Sequence, residues 1–194
     1  MSFDVKTFRR ALGCFATGIT VVTAAAHDGG EPFGVTVNSF ASVSLDPPLV
    51  LFCLMRTSRL YENVVAARSF AINILSEDQG PLSMHFASSS SQRRWVGVAA
   101  RFLEGGTPIL EGCLAYFHCT TETIHEAGDH IIVIGRVQSL EWQTDGQPLL
   151  YVRGRYGRLA DLFVPSADGS ATTKTTTVVS GDAVAVGAGD AGQS

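Results

Sequence analysis

An uncharged polar run between Gly34 and Pro48 is the first candidate for binding chemistry in this chain. Thr36, Asn38 and several serines alternate there with apolar residues. Because a strand alternates its faces, we expect the valines of the run in a core and the polar side chains on the opposite face. Such a wall suits a flat ligand that forms many hydrogen bonds, and it suits a phosphate or a metal badly. A half-exposed strand with a serine-rich turn would show the same period.

The tetrad Arg56-Thr57-Ser58-Arg59 is a candidate anion site. It follows a strand predicted over residues 49–54 and leads into a helix predicted over residues 58–67. Its threonine or its serine is predicted to cap this helix, whose first N–H groups and dipole favour a negative ligand. Its two arginines can clasp a phosphate, although an ordinary cap with solvated arginines is the alternative. Next to the uncharged run, the tetrad indicates a site for a ring with a phosphate tail, and hence a flavin nucleotide.

The turn Gly128-Asp129-His130 is a second candidate constellation. A histidine at the start of a strand is commonly structural, but His130 could instead donate to a bound carboxamide or flavin edge. Its charge switches near physiological pH. Adjacency in sequence does not establish a contact with Asp129, because neighbouring strand residues point apart.

The segment from Tyr151 to Arg158 carries three arginines and two tyrosines around two glycines. These side chains can bind the pyrophosphate of a dinucleotide and stack on its rings. The alternative is an edge strand whose arginines keep it soluble. Arg93-Arg94-Trp95 is a weaker version of the same pattern.

Metal and common nucleotide motifs are missing from the sequence. Cys113 and Cys119 flank His118, but on one strand the two cysteines share a face and the histidine lies on the other. We expect them to be small core residues and expect no metal. There is no GxGxxG, GxxxxGK[ST], GxSxG or HExxH pattern.

The elements that must position these residues are mainly strands. An amphipathic helix is expected at residues 4–16, with Phe8, Ala11, Leu12 and Phe15 on one face. The helix at 58–67 is expected to bury Leu60, Tyr61, Val64 and Val65, and a short helix is expected at 81–86. The expected strands cover residues 19–26, 33–38, 49–54, 70–75, 113–125, 129–143 and 148–153, with a hairpin turn at 27–30. The strand at 49–54 is expected to be buried on both faces, and the whole to form a nearly closed antiparallel barrel with flanking helices.

Composition limits the class of protein. The chain has 194 residues, 45% of them hydrophobic and only 16% charged, which indicates one domain with surface hidden in an oligomer, an apolar cavity or an uncharged tail. A net charge of −4 argues against nucleic acid as a partner. No apolar stretch is long enough to span a membrane and no signal peptide is visible, so a cytoplasmic location is expected. We expect a domain over residues 1–163 and a disordered, low-complexity tail over residues 164–194.

Four motifs follow one another in the chain: Phe15-Ala-Thr-Gly-Ile-Thr-Val-Val-Thr23, the run Thr36 to Pro48, Gly128-Asp-His130 and Tyr151-x-x-Gly-x-Tyr156. In this order they resemble one family, the short-chain flavin reductases that serve two-component flavin-dependent monooxygenases. The resemblance covers roughly residues 5 to 160. It implies an FMN-binding split barrel of Greek-key-like topology, a homodimer with flavin near the interface, and reduction of FAD or FMN by NAD(P)H, after which the reduced flavin diffuses to a separate oxygenase.

The resemblance also assigns roles to residues. Those implied to hold the flavin ring and ribityl chain are Thr36, Val37, Asn38, Ser39, Ser42 and Cys53. Those implied at its phosphate end are Arg56, Thr57, Ser58 and Arg59, and those along the remainder are His85, Phe86 and Ala87. Those implied to meet the nicotinamide nucleotide are His130, Tyr151, Gly154, Arg155 and Tyr156.

The implied chemistry needs no acid or base, because hydride passes directly from nicotinamide to flavin while the protein aligns the two and excludes water. NADH is expected over NADPH because no further basic cluster is dedicated to the adenosine end, and FAD over FMN by resemblance. Two alternatives stay open: a non-catalytic flavin-binding protein on the same barrel, and a pyridoxamine-phosphate-oxidase-like enzyme, whose substrate-phosphate motifs are missing.

Overall fold

The computed structural model describes residues 3–26, 30–88, 95–159, 163–165 and 171–173. The chain divides into two units, Met1–Ala160 and Asp161–Ser194. In the second unit, two strands of three residues each pair antiparallel, within a region where the sequence predicts no regular structure. Three features of the sequence analysis lie wholly or mostly outside the described residues: the hairpin turn at 27–30, the arginines at 93 and 94, and the tail.

Three helices and fourteen strands are formed by the described residues. The helices are α1 (Val5–Leu12), α2 (Tyr61–Ala66) and α3 (Gly80–Ala87). The first strands are β1 (Thr17–Gly18), β2 (Thr20–Ala24), β3 (Phe33–Val37), β4 (Ala41–Leu45), β5 (Pro48–Met55), β6 (Ser69–Ile74) and β7 (Ala100–Phe102). The others are β8 (Pro108–Leu110), β9 (Ala115–Ala127), β10 (His130–Trp142), β11 (Leu150–Val152), β12 (Arg155–Gly157), β13 (Phe163–Pro165) and β14 (Ala171–Thr173).

Seven strands form the main antiparallel sheet, in the order β3-β2-β6-β9-β10-β5-β4. The long strands β9 and β10 form a hairpin in which Ala127 pairs with His130, leaving a two-residue turn. Gly128 has φ of 63° in that turn, a conformation that glycine adopts without strain. The turn therefore fixes where Asp129 and His130 leave the sheet.

The two ends of this sheet are drawn together by Ser39, which lies between β3 and β4. Its Oγ accepts a 2.8 Å hydrogen bond from the backbone N–H of Cys53 in β5 and donates at 3.1 Å to the carbonyl of the same residue. The side chain thus takes the place of a strand partner at the point where the sheet curls. The enclosed core includes Val22, Phe52, Phe70, Ile72, Ile131 and Val133.

A small sheet, β1-β11-β12, and helix α3 pack against a second cluster that includes Val21, Leu75 and Leu149. Helix α3 approaches β3 closely at Gly34, where an added Cβ would lie 2.5 Å from the ring of Phe86. Only glycine leaves room for that ring, so Gly34 permits the contact between sheet and helix.

Several expectations about elements are wrong in detail. Helix α1 ends at Leu12 rather than near residue 16, so Phe15 lies beyond it. Phe8 and Leu12 of the helix are 48% and 57% exposed in the single chain, and Phe15 is 77% exposed. Strand β5 is not buried on both faces, because Val50, Phe52 and Leu54 are buried while the alternate residues are only half-buried. In α2, Val64 is buried but Val65 is exposed. The other predicted strands lie close to their predicted positions, whereas β1, β4, β7, β8 and β12 have no predicted counterpart.

No helix among the described residues is both long and apolar enough to cross a membrane.

Candidate functional site

An uncharged cleft of about 270 Å³ opens where β3 ends. It is lined by Phe15, Ala16, Thr17, Gly18, Thr20, Asn38, Phe40 and Ile74. Asn38 is exposed at the end of β3 and offers both a donor and an acceptor. The hydroxyl of Thr17 is buried and has no hydrogen-bond partner among the described residues. Since buried polar groups are normally paired, this hydroxyl indicates a partner supplied by a ligand or by water.

Two other hydroxyls of the polar run are already engaged within the fold. Thr36 donates a 2.7 Å hydrogen bond to the carbonyl of Ser83 in α3, and Ser39 is bonded to Cys53 as described. Both side chains therefore position elements around the cleft, and their donor hydrogens are not free for a ligand. Val37 is a buried core residue, and Ser42 is exposed in β4 opposite Val50.

The predicted cap at the Arg56–Arg59 tetrad is wrong. Helix α2 begins three residues later than predicted, and its first cap position, Leu60, forms no side-chain cap bond. Ser58 instead accepts from the N–H of Leu60 at 3.2 Å, which stabilises a turn. Because α2 has only six residues and starts beyond the tetrad, its dipole does not favour an anion there. Arg56 also pairs with Glu126 at 3.3 Å, while Thr57 and Arg59 are exposed.

Asp129 and His130 are in direct contact. Nδ1 of His130 lies 2.7 Å from Oδ1 of Asp129, and this contact is the main cause that lowers the pKa of the Asp129 carboxyl. An ionised carboxylate only accepts, so Nδ1 carries the hydrogen and Nε2 of a neutral ring is an acceptor. The expected donation from His130 to a ligand thus requires the protonated ring. The neutral ring would accept from a carboxamide N–H.

The turn at Asp129 lies beside the tetrad. The backbone N–H of Arg56 donates to the carbonyl of Asp129 at 2.9 Å, and His130 is paired with Met55 in the sheet. The structure thus brings together two of the constellations that the sequence predicts separately.

The Tyr151–Tyr156 segment forms a hairpin of strands β11 and β12. Its two-residue turn has positive φ at both Arg153 (50°) and Gly154 (79°), as a type I′ turn requires. The rings of Tyr151 and Tyr156 contact each other with centroids 5.7 Å apart. Tyr156 is also hydrogen-bonded through its hydroxyl to the buried Ser83 at 2.8 Å. Arg155 is exposed on β12.

Helix α3 divides its three predicted flavin residues between surface and core. His85 and Ala87 are exposed, whereas Phe86 is 1% exposed and packs against Gly34 and Trp95. The side chain of Phe86 is therefore part of the core, which leaves its backbone as the part that a flavin could contact.

Thr17 and Gly18 have no ligand role in the sequence-based assignment, yet both line the uncharged cleft. The helix was predicted to continue to residue 16, but it stops at Gly13 and the chain then forms β1. The β-branched Thr17, Ile19 and Thr20 are the signal that favours a strand here.

The predicted core role of Cys113 and Cys119 is confirmed, and burial raises the pKa of both thiols to about 12. Cys14, by contrast, is exposed and Cys53 half-buried. Within the described part of the chain, no three potential metal ligands lie together.

The chain is similar to known proteins of one family. Residues 12–160 match the model of the flavin reductase like domain, which is most of the chain. The chain belongs to this family. A probable flavin reductase from Rhizobium meliloti (strain 1021) is 46% identical over 171 residues, covering 88% of this chain and 52% of the relative. The chain thus spans about half the length of that flavin reductase.

Two further relatives match over more of their own length. The flavin-dependent monooxygenase reductase subunit HsaB of Mycobacterium tuberculosis (strain CDC 1551 / Oshkosh) is 44% identical over 155 residues, covering 79% of this chain and 81% of HsaB. The Streptomyces globisporus C-1027 NADH:FAD oxidoreductase SgcE6, solved with NAD and FAD fragments, superposes with a TM-score of 0.76 at 35% identity, covering 82% of this chain and 97% of SgcE6. The chain therefore has the split-barrel fold of this family, as the sequence predicts.

Proposed function

We propose that this flavin reductase oxidises NADH, reduces FAD and releases the reduced flavin to a separate flavin-dependent oxygenase. The observation that carries the proposal is the uncharged cleft at Thr17 and Asn38, which holds an unpaired buried hydroxyl and adjoins the Tyr151 hairpin. The relatives support the reaction class, because HsaB is a reductase subunit and SgcE6 is an NADH:FAD oxidoreductase.

The residues of the cleft fit a flavin ring. Thr17 and Asn38 supply neutral donors and acceptors, and Phe15 and Phe40 supply apolar surface for a flat ring. An added Cβ at Gly18 would meet nothing within 4 Å, so the backbone there lies open. When bound, the flavin supplies a ring that accepts hydride.

The chain's own residues align the reactants in this proposal and supply no acid or base. None of the described residues that line the cleft is charged. The Asp129–His130 pair holds the imidazole in one tautomer, which prepares Nε2 to accept from the amide of a nicotinamide. Neutral contacts also keep affinity modest, since every 1.4 kcal/mol or so of added affinity slows flavin release about tenfold when association is unchanged.

We further propose that the working form is a homodimer. The single chain exposes Phe8 and Leu12 of α1 and the following Phe15, and it also exposes Val43 and Leu45 of β4. Exposed apolar surface of this kind marks an interaction site. A second copy of the chain would cover them and would lie close to the cleft, because Phe15 lines it.

The experiment that tests the function is a turnover assay of the purified protein with NADH or NADPH and with FAD or FMN, following the absorbance of the reduced nicotinamide. Oxidation that depends on added flavin supports the proposal, and faster turnover with NADH and FAD supports its finer part. Flavin retained through purification without NADH oxidation would instead show a non-catalytic flavin-binding protein.

A further inference from the structure

A second cleft, of about 660 Å³, lies between α1 and the turn of the β11–β12 hairpin. Four cationic side chains line it, namely Lys6, Arg9, Arg10 and Arg153. Among the described residues that line it, none is acidic. The whole chain carries a net charge of −4 and only fourteen lysines and arginines, so four of them in one cleft form a local positive field that attracts anions.

These four charges have no ion-pair partner in the part of the chain that the structure describes. Arg9 and Arg10 lie in the last turn of α1, where cations complement the helix dipole. That explanation does not extend to Lys6, which lies in the first turn, where a positive charge opposes the dipole. It does not extend to Arg153 either, which lies on another element.

Arg153 has an unfavourable backbone conformation for an arginine. Its φ of 50° makes it the one non-glycine residue with positive φ among those described, at a turn position that favours Asn, Asp or Gly. Its N–H donates a 2.7 Å hydrogen bond to the carbonyl of Gly13, and its Cα would lie 3.4 Å from a Cβ added at Gly13. The turn is thereby held tightly against the end of α1, and its cation is held beside those of the helix.

The cationic cleft lies near both the Asp129–His130 pair and the uncharged cleft at Thr17. The charge of Arg9 contributes, as the smallest of several causes, to lowering the pKa of Asp129, which places α1 within electrostatic reach of the Asp129–His130 pair. On the other side, Tyr151 of the same hairpin pairs with Thr17 of the uncharged cleft. A ligand whose ring lies at Thr17 or His130 can thus extend a phosphate group toward the four cations.

From this geometry we infer that the cationic cleft binds the diphosphate of a dinucleotide, and that this dinucleotide is the nicotinamide substrate. The inference rests on the proposed function. Arginine forms bidentate hydrogen bonds with phosphate oxygens, and the cleft has the size of ordinary ligand sites. The sequence analysis found no further basic cluster, because the four cations of this cleft lie on α1 and on a turn some 140 residues away in the chain.

The test uses charge-removing variants that preserve the local backbone. Arg10→Gln keeps a good helix former, and Arg153→Asn places a residue that tolerates positive φ at the turn. Arg136→Gln is the matched control, because Arg136 is paired with Glu122 away from the cleft lining. With FMN as acceptor, NADH is the sole diphosphate in the assay. We expect the KM for NADH to rise about tenfold or more in each cleft variant, as loss of a charge-assisted hydrogen bond implies, with a much smaller fall in kcat and no change in the control.

Two outcomes would overturn the inference. A rise in the KM for FAD alone, with the KM for NADH unchanged, would assign the cleft to the flavin dinucleotide. Unchanged KM values for both would show that the cations only keep the helix soluble. If the wild-type protein oxidises no NADH with any flavin, the proposed function fails, and calorimetry with ADP still decides the cleft. Binding that weakens in both variants supports a diphosphate site, and no binding by the wild type contradicts it.

Discussion

Thr17 lies directly opposite Tyr151 in the small sheet, so the segment that lines the uncharged cleft is hydrogen-bonded to the hairpin that carries Arg153. Gly13 fixes the other side of the same hairpin by accepting from the N–H of Arg153. The residues between the end of α1 and β1 thus connect an uncharged cleft with a cationic one. This arrangement suits two bound groups, a neutral ring and a phosphate tail.

Replacing Thr17 by valine should raise the stability of the ligand-free protein and weaken its binding of flavin. The variant removes a buried hydroxyl that lacks a partner, so we expect the ligand-free protein to gain up to about 1–3 kcal/mol in free energy of unfolding. The KM for flavin should rise severalfold if that hydroxyl bonds the ring. Thr121→Val is the control, because its hydroxyl donates to the carbonyl of Ala67 at 2.8 Å and its loss should lower stability and leave the KM unchanged. Lower stability in Thr17→Val would contradict the account.

Gly34→Ala should destabilise the protein by about 1–3 kcal/mol, because its Cβ would lie 2.5 Å from the ring of Phe86 and force the core to shift. Gly80→Ala is a matched control at the start of α3, where an added Cβ meets nothing within 4 Å. Chemical denaturation measures both. Equal stabilities of the two variants would show that Phe86 does not pack against β3 as described.

The fall in the stability of the folded protein at acid pH should depend on Asp129. The pKa of Asp129 is lowered in the folded protein, chiefly by the hydrogen bond with His130. The stability that this contact contributes is therefore complete well above the usual pKa of 3.8, and it is lost as the pH falls through the lowered pKa. We therefore expect the contact to persist from neutral pH down to about pH 5. In Asp129→Asn the thermal midpoint should become less sensitive to pH in the acid range. A fall in stability at acid pH identical to that of the wild type would argue against the contact.

Thiol labelling should rank the cysteines by burial. Cys14 is exposed and should react first, whereas Cys113 and Cys119, whose pKa values are raised to about 12 by burial, should react only after unfolding. Mass spectrometry after a short exposure to iodoacetamide at neutral pH measures the order. Rapid modification of Cys119 in the native protein would contradict its place in the core.

The exposed face of α1 should control association. Leu12→Asp places a charge in the apolar face, so we expect light scattering to report the mass of a single chain for this variant and of two chains for the wild type. Asn63→Asp adds the same charge to an exposed position of α2 and should leave the mass unchanged. A wild-type protein that is a single chain at all concentrations would contradict the proposed dimer.

The strands could largely be predicted from the sequence, because runs such as residues 19–26 and 129–143 are rich in β-branched residues and are separated by glycine turns. The exposure of the apolar residues of α1 could not be predicted. An amphipathic pattern shows that a helix has an apolar face, but it does not show whether the same chain covers that face. The start of α2 was misplaced for a local reason: Ser58 is a good cap residue, and its side chain instead stabilises the turn before the helix.

The candidate site was predicted in part. The sequence singles out Asn38, because it is a polar residue in an apolar strand pattern, and the Gly128–His130 turn, because it carries a titratable side chain at the start of a strand. Phe86 was assigned to the ligand, whereas its ring fills space left by Gly34, a contact between residues 52 positions apart. The cationic cleft likewise joins residues that are distant in sequence, which the hydrogen bond between Gly13 and Arg153 and the pairing of β1 with β11 bring together.

The central claim is tested most directly by mixing NADH and FAD without oxygen and following the absorbance of the flavin with and without the protein. The account predicts that the flavin is reduced at a rate proportional to protein concentration, and that the reduced flavin passes through an ultrafiltration membrane that retains the protein. Flavin that stays oxidised with either nicotinamide nucleotide, and equally when FMN replaces FAD, would contradict it.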